Sequence, residues 1–154
     1  MLGVVAFLLS LVFVVPNLPD LPVRAAATEP PTDPAALDAE GKVAAFRKLA
    51  DEAIAEQTIF LNCLLFDDKS FAMMEKNWRD MASETAAILA KAGVPAADIR
   101  AFRERAETEN LLMLDRPVRE VRSLCAGDPE WPQRMYRLDM ILLQYRAKDL
   151  FGVE

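Results

Sequence analysis

From residue 43 onward, apolar side chains recur at three- and four-residue steps, which is the period of a helix and not of a strand. Val43, Phe46, Ala50, Ala53, Ile54, Phe60, Leu61 and Leu64 form the first such stripe. Asp33-Pro34, a capping residue followed by proline, offers it a start, and Gly41 interrupts its beginning. A second helix should begin near Asp68 to Ser70. It carries the cleanest stripe of the chain: Phe71, Met74, Trp78, Met81, Thr85, Ile88 and Leu89. Gly93, followed by Val94 and Pro95, marks its end in the manner of a left-handed C-terminal cap. A third helix is expected from about Ala96 toward Leu114, with Ile99, Phe102, Ala106 and Met113 inward. Pro117 then ends or kinks it before a short segment carrying Val118, Val121 and Leu124. Asp128-Pro129 repeats the cap-and-proline signature. It opens a last helix with Trp131, Met135, Leu138, Ile141, Leu142 and Tyr145, which Gly152 can close. No stretch alternates like a strand and no Asn-Gly or Asp-Gly hairpin signal is present. The expected fold is therefore all-α: an antiparallel bundle of four main helices plus a short kinked segment, because short connections make successive helices neighbours.

The N-terminus follows a different rule. Met1 to Val15 has no ionisable side chain and Ser10 as its single polar one. As a helix it spans roughly 22 Å, against a bilayer core of roughly 30 Å. That is the size of a signal-peptide hydrophobic region and short for a transmembrane span. Pro16, Pro19 and Pro22 follow, then Ala25-Ala26-Ala27, a small-residue pattern suited to signal peptidase. Against cleavage stand the lack of any Lys or Arg before the apolar run and the length of the stretch to Ala27. Residues 1–27 are read as a signal peptide or short membrane anchor, 28–33 as a Pro-rich linker, and 34–154 as the helical domain. Either reading of 1–27 puts the chain outside the cytoplasm, in a periplasmic or extracellular location, and a retained residues 1–15 segment gives it contact with the membrane. The remaining alternative is a buried apolar segment of a cytoplasmic protein.

Composition narrows the chemistry more than it suggests any. The chain of 154 residues is 53% hydrophobic and 27% charged, which suits one packed core and argues against disorder. A net charge of −6 argues against a nucleic-acid partner, since phosphate-binding surfaces cluster Lys and Arg. There is no His. That removes the imidazole general base, the Ser-His and Cys-His nucleophiles, His-ligated haem and His-containing zinc sites. The 2 cysteines cannot build a four-thiolate site within one chain. No catalytic residue, cofactor or metal site is expected.

Cys63 and Cys125 are instead expected to bond to each other, as an even pair in an exported chain does. Closing a loop of about 60 residues would stabilise the fold by roughly 4 kcal/mol on the chain-entropy model. Acidic residues gather at Asp67-Asp68 and along Glu104, Glu107 and Glu109. Paired carboxylates can hydrolyse glycosides or hold cations, yet Asp67 and Asp68 sit where a helix N-terminus favours negative charge. Arg100–Glu104 and Arg103–Glu107 have the spacing of pairs on a wet helix face. Met73, Met74, Met81, Met113, Met135 and Met140 could in principle hold a soft metal. Met74 and Met81, however, share the stripe of Phe71 and Trp78, where flexible Met is core filler. Arg116, Arg119 and Arg122 form a row interrupted by Glu120, and a solvated face accounts for it.

Three blocks are apolar all round the helix: Ile59 to Leu61, Leu111 to Leu114, and Met140 to Leu143. A bundle of this size surrounds one or two helices on all sides, so part of this surface is expected to meet another protein. The expected partner surface draws on Leu111, Leu112 and Leu114, or on Leu150, Phe151 and Val153. The function expected from sequence is a non-catalytic exported accessory or interaction protein, a subunit of a larger membrane or envelope complex. The alternative is a small-ligand or metal carrier with its site inside the bundle.

Overall fold

A computed structural model describes residues 36–137 and 140–154. Every regular element among them is helical: α1 (Ala39–Cys63), α2 (Asp68–Lys91), α3 (Ala96–Ala106), α4 (Thr108–Leu111), α5 (Val118–Gly127), α6 (Trp131–Arg137) and α7 (Leu143–Phe151). The chain is all-α with one disulfide, Cys63–Cys125. Residues 1–35, with the apolar N-terminus, the linker and Asp33-Pro34, lie outside the described residues.

Local chemistry explains most of the boundaries. The Gly41 N–H donates to Asp38 Oδ1 at 2.7 Å, so Asp38 caps α1, and Gly41 sits within the first turn without breaking it. Asp67 caps α2 in the same way through Ser70 N–H at 3.1 Å. Gly93 ends α2 with φ +75°, and the Val94 N–H reaches back to Leu89 O while the Gly93 N–H reaches Ala90 O. This is the left-handed double-bonded cap, completed by the buried pair Leu89 and Val94. Gly152 closes α7 likewise, with φ +66° and Val153 N–H on Lys148 O.

Two expected helices are each broken in two. The third stops at Ala106, where Glu107 turns extended (φ −60°, ψ 132°). Terminal carbonyls there have found other donors: Trp78 Nε1 gives its hydrogen to Ala106 O at 2.7 Å and Asn110 Nδ2 gives one to Glu104 O at 2.6 Å. The last helix ends at Arg137 and restarts at Leu143. Leu138, counted in its stripe, lies outside the described residues. The Ile141 N–H donates to Glu56 Oε2 at 2.8 Å and the Leu143 N–H to Met81 Sδ at 3.3 Å. Donors that would have continued a helix are thus taken by side chains of α1 and α2.

The core lies between α1, α2 and α7. Trp78, Phe60, Leu61, Leu89 and Leu143 fill it with almost no exposure, and α3 closes one side through Phe102 against Phe46, ring centroids 5.4 Å apart. α7 runs with α2: Lys148 Nζ meets Glu84 at 3.0 Å, and Lys91 Nζ meets Glu154 O at 2.6 Å. It runs against α1, with Phe151 on Phe46 and Ile141 on Glu56. Among the described residues no helix is long and apolar enough to cross a membrane.

Candidate interaction surface

The end of α1 is where the rest of the chain is gathered. Asn62, 1% exposed, donates through Nδ2 to Thr58 O and to Leu111 O, both at 2.8 Å. Its Oδ1 accepts from Met113 N–H at 2.8 Å. One side chain thereby holds the segment that follows α4 against the last turn of α1. The next residue, Cys63, is bonded to Cys125 of α5, with Cα atoms 5.7 Å apart. The disulfide is compatible with an oxidising, exported location.

A second tie lies nearby. Arg134 of α6 grips Asp128 with two hydrogen bonds, 3.0 and 2.6 Å, and Glu56 Oε1 with its Nε at 3.1 Å. Its guanidinium lies 5.9 Å from the Phe60 ring centroid. Glu56 uses its other oxygen for Ile141 N–H, so one cluster joins α1, the start of α6 and the start of α7. The Arg134 hydrogen bonds hold the Asp128 carboxyl below its ordinary 3.8. A depressed carboxyl contributes stability above its unfolded pKa, and that contribution is lost as pH falls through the lower folded value. Urea midpoints should therefore decline below about pH 4. Asp128→Asn should make that decline shallower without abolishing it, because the capping Asp67 is depressed too, through Ser70.

Exposed apolar side chains include Met73 of α2, Leu142 just before α7, and three in the segments tied to this end of α1. Phe66, three residues past Cys63, is 82% exposed; Leu114, next to the tethered Met113, is 73% exposed; Val118, the first residue of α5, is 53% exposed. Tyr136 and Tyr145 are also exposed, but a phenol keeps its hydroxyl in water and tolerates this better than a phenyl or isobutyl group.

The expected partner residues are divided by the fold. Leu111 and Leu150 are core residues, and Leu112, Phe151 and Val153 pack half-buried against the core. These five turn most of their surface inward. Leu114 alone of the six stands in solvent. Phe66 and Val118 each lie beside a turn, where periodicity says nothing about facing.

The acidic residues stand apart from any converging site. Asp67, Asp68, Glu104, Glu107 and Glu109 are all exposed, and Asp67 serves as a cap. The Arg100–Glu104 and Arg103–Glu107 pairs do not form among the described residues; α3 ties to α1 through Arg105 with Asp51 instead. Among the described residues no three His, Cys, Asp or Glu side chains gather as metal ligands. Met74, Met81 and Met135 are buried in the core. Arg116 pairs with Glu120 at 3.7 Å, while Arg119 and Arg122 face solvent. A groove of about 650 Å³ opens between the start of α1 and the α2–α3 turn, lined by Leu37, Val43, Val94 and Phe151, with the Arg47–Asp98 pair (2.6 Å) beside it. No family model, curated protein or solved structure matches the chain.

Proposed function

We propose that the chain is an exported, non-catalytic interaction protein that docks on another protein of a membrane or envelope assembly through the end of α1. In this reading α1, α2, α3 and α7 are the four main helices of the bundle. Residues 1–27 deliver it as a cleaved signal or hold it as a short anchor, and residues 28–33 are the tether. The observation that carries the reading is the exposure of Phe66, Leu114 and Val118 at a place where the backbone is cross-linked and hydrogen-bonded. Apolar side chains left in water on a fixed scaffold lose little conformational freedom when a partner covers them, which is what binding energy requires. The alternative, a carrier with its site inside the bundle, has less support, because Trp78, Phe60, Leu61, Leu89 and Leu143 occupy the space between α1, α2 and α7.

The test is gentle purification of the full chain from its native membranes and envelope, beside a Phe66→Ser/Leu114→Ser variant. The wild type should bring down a stoichiometric protein that the variant loses, while both melt within about 2 °C of each other, as exposed substitutions do. A wild type that stays monomeric and alone, or a variant that keeps the same partner, would overturn the reading.

A further inference from the structure

We infer that the disulfide controls a strap: reduction of Cys63–Cys125 releases residues 114–127, with α5 inside them, while the remainder of the fold stays closed. The inference goes beyond the partner reading and does not depend on it.

The strap is a weakly held element between two firm anchors. On its N-terminal side, Leu111 and Met113 are fixed by the buried Asn62. On its C-terminal side, Asp128 is fixed by Arg134, itself bound to Glu56. Between those anchors, α5 packs appreciably on α1 only. Of its 10 residues Val121 alone is buried, and no side chain caps either end. A helix of that length is marginal in water without packing to support it. By contrast α2, with 24 residues, is capped at its start by Asp67 and buries seven residues. The covalent bond from Cys125, in the last turn of α5, to Cys63 of α1 is therefore the strongest hold on this helix. Removing it leaves Val121 and the half-buried Leu124 to keep α5 on α1, while both anchors and the α1–α2–α7 core are untouched.

Both cysteines are half-buried at the surface, so a dithiol can reach them without unfolding of the core. One thiolate of the reductant attacks a cystine sulfur and forms a mixed disulfide; its second thiol then closes on the first. The reductant leaves as a disulfide, and Cys63 and Cys125 each gain one electron and one proton to become thiols.

The experiment treats the folded full chain with dithiothreitol, without denaturant, and follows thiol alkylation and amide hydrogen exchange by mass spectrometry. Both cysteines should become alkylated. Amides of residues 118–127 should then exchange at least about tenfold faster, while those of α2 and α7 change by less than about twofold. A Cys63→Ser/Cys125→Ser variant should show the same pattern with no reductant. A bond that yields only after denaturation, an α5 that keeps its protection once reduced, or faster exchange spread through α2 and α7 would each overturn the proposal.

Discussion

Trp78→Ala should destabilise the protein by about 3–5 kcal/mol, the range for deleting a fully buried aromatic side chain. Trp78 is 1% exposed at the centre of the α2 stripe, and its indole does two things there. The ring fills space among the core helices, and Nε1 satisfies Ala106 O, the carbonyl at which α3 stops. Trp78→Phe separates the two roles. It keeps most of the packing and removes the donor, so it should cost a smaller amount, about 1–3 kcal/mol, with the loss of protection centred on residues 104–108. Equilibrium urea unfolding monitored by circular dichroism measures both. An alanine variant with a midpoint close to wild type would show that the core does not depend on this side chain.

Asn62→Ala should cost about 2–4 kcal/mol, an unusual penalty for removing one polar side chain. The substitution takes away a donor to Leu111 O and an acceptor for Met113 N–H, both belonging to a segment held against α1 out of reach of full hydration. Asn62→Asp is the more telling variant. It preserves the shape and the acceptor, but it places an oxygen opposite the Leu111 and Thr58 carbonyls and a charge in a 1% exposed site. It should destabilise at least as much as alanine at neutral pH. An aspartate variant as stable as wild type would mean that the three hydrogen bonds do not hold this segment.

The helices were readable from the residues because the signals that set them are local, and the cross-link because two cysteines allow a single pairing. The Met74–Trp78–Met81–Thr85 stripe, the Gly93 stop with Val94 behind it, and the start of α5 after Pro117 all act within a few positions along the chain. The breaks at Glu107 and before Leu143 were not readable, because their causes are distant. Ala106 O is taken by a side chain 28 residues away, and Ile141 N–H by one 85 residues away. Apolar periodicity continues through both places, so pattern alone predicts an unbroken helix. The surface shows the same division. The block Leu111 to Leu114 was legible as more apolar than one face requires, but which member stays in water depends on how Asn62 turns the segment. Asn62 itself lies inside an apolar run, where a single amide carries no pattern of its own.

The order of helices along the chain has a bearing on when the core can close. The helix α7 is not an appendage: Leu143 and Ala147 are wholly buried, and the helix packs on both α1 and α2. Until residues 143–151 are available, α1 and α2 present an unfilled apolar seam and lack the partners of Met81 and Glu84. Because α7 is contributed by residues 143–151, the core of α1 and α2 cannot close until those residues have been made. The moment of folding is thus set by the arrival of α7 and not by completion of α1 and α2.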